Sequence, residues 1–202
     1  MEATPGVHSA EQVRSRHMKL FLQCVEAQEP VTRDVLLAAL PKDDLALVRE
    51  ASTIAWLPAA VNGRATEVVW SALGPKHREL FFLQLGIALL DSSLMNTLLA
   101  SAVRLFGVEP ARILRWTPRA WTQVYRDTTR ITVFDIEPQS LRIRYESLPR
   151  VLVRSAGWME SVALSTSALF NVTGRTGAGT VESSNVAERS MVHCFRWQAQ
   201  RG

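Results

Sequence analysis

Through the first two-thirds of the chain apolar residues recur every three to four positions, and after Asp127 the period drops to two. Val13, His17, Leu20, Phe21, Cys24 and Val25 make one stripe, which predicts an amphipathic helix from Ala10 to about Ala27, stopped by Glu29-Pro30. Thr32 stands where an N-cap would open a second helix carrying Val35, Leu36, Ala39 and Leu40 up to Pro41. Asp43 and Asp44 favour the start of a third, from Asp44 to roughly Ser52. Ile54 to Pro58 reads as an apolar connector, and Ala59 to Leu73 as a helix closed by Gly74-Pro75. The block from His77 to Phe106 is apolar nearly all round, which predicts one long helix in the middle of the domain, ended by Gly107. Gly86 inside it costs helix propensity and implies close packing against another backbone. Glu109 to Leu114 gives another helical turn or two, and Thr117-Pro118 opens a last helical segment running to Asp127.

Beyond that point Arg130–Ile136 and Leu141–Tyr145 alternate around the turn Glu137–Ser140, a hairpin with Arg142 and Arg144 on one wet face. Val151 to Val172 reads as a helix, Gly174 to Gly179 as a flexible turn, and Thr180–Val186 with Ser190–Trp197 as a second hairpin. The order implies an α+β fold, a helical N-terminal layer packed on a small antiparallel sheet of two β-hairpins flanking one helix (ββαββ). Residues 1–10 read as a flexible leader and residues 11–198 as a single domain.

Composition narrows the class. With 47% hydrophobic and 21% charged residues the chain carries enough apolar mass for a core, which excludes global disorder. The greasiest stretch, Leu80 to Phe106, is interrupted by Gln84, Asp91, Ser92, Ser93 and Asn96, so no membrane span is expected. Met1 to Ala10 shows no basic cluster followed by an apolar run, and Cys24 and Cys194 cannot make a disulfide framework, so a cytoplasmic location is expected. The net charge of +4 divides into −2 for residues 1–100 and +6 for residues 101–202, where every cation is arginine. Those arginines are scattered and never form a run, which is the pattern of a solvated face and not of a nucleic-acid footprint.

Chemical motifs are sparse. His8, His17, His77 and His193 are isolated, neither cysteine has a CxxC partner, and adjacent His193 and Cys194 would point to opposite faces of a strand, so no metal site is expected. The glycine-rich Gly174–Gly179 lacks the Lys-Ser/Thr of a phosphate loop and leads out of a helix into strands, the reverse of a phosphate-binding context. No Gly-x-Ser-x-Gly elbow occurs, and Ser161, Ser165, Thr166 and Ser167 have no histidine near them in sequence. The aromatic residues are more informative. Trp116, Trp121 and Tyr125 crowd one segment, interleaved with Arg112, Arg115, Arg119 and Arg126. Such a group either lines a ligand pocket or anchors the last helix against the sheet. Trp56, Trp158 and Trp197 read as core or core-rim.

The succession Ala55-Trp56-Leu57-Pro58, Leu85-Gly86, Trp116-Thr117-Pro118-Arg119-Ala120-Trp121 with Tyr125, and the closing Cys194-Phe195-Arg196-Trp197 resembles a myxobacterial paralogous family. That family in turn resembles the superfamily of haem-nitric-oxide-binding domains, 4-vinyl-reductase-type sensor domains and Bet3-type subunits of TRAPP tethering complexes. The resemblance implies helices on a sheet of two hairpins flanking a helix, with a small apolar ligand or cofactor held between them, or dimerisation and an adaptor role. The haem variant needs an axial histidine on a central helix and a Tyr-x-Ser-x-Arg motif for the propionates. Tyr145 and Ser147 match, but Arg150 arrives one residue late behind Pro149, and no histidine lies between His77 and His193. No haem or other cofactor is therefore expected.

These observations lead to a non-enzymatic sensory or adaptor domain, a homodimer, with a small apolar ligand in an internal cavity lined by Leu85, Leu89, Trp116, Trp121 and Tyr125. Two alternatives stand beside it: a protein-interaction module whose basic C-terminal half docks an acidic partner, and an enzyme acting on a hydrophobic small molecule.

Overall fold

The segment expected to begin the first helix is instead a strand. The computed structural model describes residues 11–126 and 129–199, so the expected leader, residues 1–10, lies outside the described residues. Gln12–Arg14 (β1) pairs antiparallel with Trp56–Pro58 (β2) and with Tyr125–Arg126 (β3), giving a small sheet in the order β2-β1-β3. Three residues are too few to display an alternation, and both partners lie far along the chain, so local periodicity could not reveal this pairing. The helix proper, α1, is Ser15–Glu26, with Met18, Phe21, Leu22 and Val25 buried.

The next two helices are α2, Pro30–Ala39, and α3, Lys42–Glu50. Pro30 occupies the first turn of α2 behind Glu29, in place of the expected Thr32 cap, because a fixed φ and a missing N–H suit that position. Asp43 and Asp44 stand in the first turn of α3, and Asp44 accepts both a Nε and a Nη2 bond from Arg64, each 2.7 Å. Arg64 belongs to α4, Ala59–Ala72, which follows β2 directly.

The expected single helix from His77 to Phe106 is two: α5, Pro75–Asp91, and α6, Ser93–Phe106, bent by 77°. Ser92 takes an extended conformation at the break, and its hydroxyl donates to the Leu89 carbonyl at 2.6 Å, a local bond that competes with helix continuation. Nor is the block buried all round, since Leu80, Ile87 and Leu105 are exposed. No single helix among the described residues is long and apolar enough to cross a membrane. Short helices α7, Pro110–Leu114, and α8, Thr117–Val124, then lead into β3.

The C-terminal part follows the expected order with one more correction. Strands β4, Arg130–Glu137, and β5, Ser140–Glu146, form the first hairpin, with Leu141, Ile143 and Tyr145 turned inward. The helix expected over Val151–Val172 is three pieces: α9, Arg150–Val153, α10, Ala156–Ser167, and α11, Leu169–Thr173. Strands β6, Gly177–Asn185, and β7, Ser190–Trp197, complete an antiparallel sheet in the order β4-β5-β7-β6. Strand β6 therefore starts inside the stretch expected to be a turn. Helix α10 packs on both α5 and β6, so it is the layer between the helices and the sheet. The arrangement is α+β, with a helical layer over a small antiparallel sheet.

Candidate functional site

Two local devices fix the centre of the molecule. The Ser155 side chain caps α10 by accepting from the Trp158 N–H at 2.8 Å and donates in turn to Glu67 on α4. That holds Trp158, 1% exposed, at the first turn of α10, where its Nε1 donates to the Tyr125 hydroxyl at 3.1 Å. The second device is Gly86. A Cβ there would lie 2.1 Å from the Ser165 carbonyl oxygen and 2.8 Å from the Ala168 Cβ, so the backbones of α5 and α10 touch because this residue has no side chain.

Around these points the aromatic rings assemble. Trp121 stacks on Tyr125 with centroids 4.4 Å apart and meets Trp158 edge-on at 6.1 Å and Tyr145 at 5.4 Å. Tyr125 begins β3 and does not continue α8, yet the turn out of the helix keeps the two rings in register.

Beside this cluster lies a cavity of about 160 Å³, walled by α1, α4, α5, α6, α7, α8, α10 and α11, with Tyr125 of β3 and Tyr145 of β5 at its side. Leu85, Leu89, Trp116, Trp121 and Tyr125, scattered over α5, α7–α8 and β3, all line it. No carboxylate, lysine or arginine among the described residues does so. Its polar side chains are Asn62 and Thr66, engaged with Met18 and with each other, Thr117 and Ser161, which donate to the Leu114 and Trp158 carbonyls, Ser165 and Thr166, and the rings of His17, Tyr125, Tyr145 and three tryptophans.

Two of those rings carry unsatisfied atoms. The Tyr145 hydroxyl is buried without a hydrogen-bond partner, and burial holds its phenol well above the ordinary tyrosine range, so it stays protonated. The Nδ1 of His17 is likewise buried and unpartnered, and burial lowers the imidazole pKa to about 4, which leaves the ring neutral at pH 7.

The remaining expected residues fall elsewhere. Ser147 and Arg150 are exposed and do not line the cavity, whereas Tyr145 does. His77 is exposed at the start of α5. His193 and Cys194 are both buried on β7, and no group of three or more His, Cys, Asp or Glu among the described residues could hold a metal ion.

No protein-family model and no curated protein matches the chain. Solved structures do. An Fe(II) unliganded H-NOX protein from K. algicida superimposes with a TM-score of 0.58 at 10% identity, over 93% of this chain and 97% of that one. An H-NOX protein from S. oneidensis in the Fe(II)NO state gives 0.54 at 12% identity, over 92% and 99%. The chain has the H-NOX fold.

Within this H-NOX fold, sequence reasoning missed several cavity residues: His17, Phe82, Met95, Tyr145, Trp158 and Ser161. For His17 there was a signal, a titratable residue set in the apolar stripe of α1. For Tyr145 there was the inward register of Leu141 and Ile143. Met95 gave none, since it follows a helix break that the apolar pattern hides.

Proposed function

We propose that this chain is a ligand-binding sensory domain that takes a small, mainly apolar molecule into the cavity beside Trp121 and Tyr125, without haem and without catalysing a reaction. The observation that carries this is the cavity wall itself, apolar and aromatic side chains from eight helices with a handful of hydroxyls and one neutral imidazole. Its size sets the ligand's scale, since a cavity of about 150 Å³ holds a benzene ring. The unpartnered Tyr145 hydroxyl offers one hydrogen bond to a polar atom on that ligand. The H-NOX fold supports a sensory reading.

The residues do not fit a haem. Sites for drug-sized ligands run to roughly 300–1,000 Å³, and a porphyrin is no smaller, whereas this cavity offers about 160 Å³. The packed rings of Trp121, Tyr125, Tyr145 and Trp158 bound that space on one side. Of the propionate-type residues, Tyr145 lines the cavity alone, since Ser147 and Arg150 are exposed and outside it. Nor does the wall suit catalysis: among the described residues no carboxylate and no paired base and nucleophile line it.

Native mass spectrometry of the purified chain, calorimetric titration with indole, and haemin titration test this together. A retained small mass or indole binding that is lost in Leu89→Trp, with no new haem absorbance band, is the expected result. A solid interior that takes no apolar probe, or a stoichiometric haem complex, overturns it. A protein-docking role is favoured by the exposed Val31, Val35 and Leu47, which lie on α2 and α3 and not in the basic C-terminal half, and a monomer–dimer measurement by light scattering tests the expected homodimer.

A further inference from the structure

The cavity has a neighbour of different chemistry. A second pocket of about 170 Å³ is lined by Arg14, Arg16, Thr53, Ile54, Ser92 and Gln123. His17, Leu89, Met95 and Val124 line both spaces and so form the partition between them. The inner space is apolar. The outer one presents two guanidiniums, two hydroxyls and an amide, and no carboxylate among the described residues lines it.

The guanidinium of Arg14 is held by two contacts. Its Nη1 donates to the Ile54 carbonyl at 2.9 Å and its Cζ lies 3.9 Å from the centre of the Trp56 ring, while the Cζ of Arg126 lies over the same ring at 4.6 Å. Burial and then the charge of Arg126 lower the proton affinity of Arg14, although an arginine stays charged at neutral pH. Neither Arg14 nor Arg126 makes an ion pair among the described residues. The charge of Arg126 acts on Arg14, so an anion supplied from outside would be drawn to this edge of the pocket. The partition is suited to admitting one. Met95 is an unbranched, adaptable side chain, and Leu89 lies next to the bend between α5 and α6.

We propose that the ligand is a small amphiphile, with an apolar body of about one ring in the inner cavity and a carboxylate in the outer pocket against Arg14 and Arg16. This rests on the reading of the inner cavity as a ligand site and adds the class of molecule. A carboxylate suits the guanidinium fork, which it meets through paired N–H donors.

The test titrates the full chain with 4-phenylbutyrate and with its uncharged analogue 4-phenylbutan-1-ol, followed by tryptophan fluorescence and calorimetry. The acid is expected to bind about tenfold tighter than the alcohol at low salt, as one charge-assisted contact provides. That preference should fall to about twofold or less in Arg14→Gln and in Arg16→Gln, while the affinity for the alcohol stays the same. Should Arg14→Gln fail to fold for want of its contacts with Trp56 and Ile54, Arg16→Gln carries the comparison alone. Equal binding of acid and alcohol overturns the amphiphile and leaves the apolar cavity standing. An acid preference that survives the substitutions places the head elsewhere and also overturns it. Binding of neither overturns this inference and the proposed function together.

Discussion

Replacing Gly86 by alanine is the sharpest probe of how the cavity wall is built. In an ordinary helix the change would help, by about 1 kcal/mol of propensity. Here the new methyl would sit 2.1 Å from the Ser165 carbonyl oxygen and 2.8 Å from the Ala168 Cβ. The first of these is backbone, so relief requires α5 and α10 to separate or one of them to shift along the other. Overpacking of a close-packed core costs about 1–3 kcal/mol, and a backbone obstacle belongs at the upper end. Against the propensity gain, the net expectation is a loss of about 2 kcal/mol, taking the upper end of that range. For a chain of this length that is a fall in melting temperature of roughly 4–8 °C. Thermal unfolding followed by circular dichroism measures it, with Ser71→Ala on the exposed side of α4 as the control. The control should melt within about a degree of the wild type, a surface change away from special features being nearly neutral. A Gly86→Ala protein that melts at or above the wild-type temperature would refute the close helix contact.

Two further outcomes follow from buried polar groups. Tyr125→Phe removes the acceptor for the Trp158 indole N–H and leaves that buried donor unsatisfied, so a loss of about 1–3 kcal/mol is expected in urea denaturation; an unchanged midpoint would show that the bond does not form. Stability should also fall in mild acid. Burial, only partly offset by the Met159 backbone, lowers the His193 pKa to about 3, and burial lowers that of His17 to about 4. The unfolded chain takes up protons at these residues below about pH 6.5 while the folded chain refuses them, so stability is complete above that pH and is lost as pH drops toward 4 and 3. For His193 alone this amounts to about 2 kcal/mol at pH 5, at about 1.4 kcal/mol per pH unit. Denaturation midpoints at pH 7.5 and 5.0 test it, and His193→Phe should flatten the slope; equal wild-type midpoints would contradict the burial of a neutral ring.

Much of the fold could be read along the chain because its strongest signals are local. The β4–β5 and β6–β7 hairpins show in the alternation of Leu141, Ile143 and Tyr145 and of Met191, His193 and Phe195. Gly86 was legible as a close contact because glycine is costly in a helix without one. The breaks at Ser92 and Ser155 were not legible, since each depends on one serine hydroxyl bonding locally inside an otherwise continuous helical pattern. Leu85, Leu89, Trp116, Trp121 and Tyr125 were picked as apolar or aromatic groupings, and all five face one space. The outer pocket was not foreseen, because Arg14, Thr53 and Gln123 are ordinary surface residues until distant segments bring them together.

The small sheet β2-β1-β3 has a consequence for the order in which the protein assembles. Its strands come from opposite ends of the helical layer, and β1 cannot gain its second partner until Tyr125 and Arg126 have been synthesised. During translation, then, Arg14 and Trp56 can meet early through β1 and β2, but Arg126 joins them only after the whole helical layer has emerged. The arginine–tryptophan–arginine stack beside the outer pocket is among the last parts of that layer to form. A nascent chain stalled before residue 125 would carry the helices of the inner cavity wall up to α8 but an unfinished mouth.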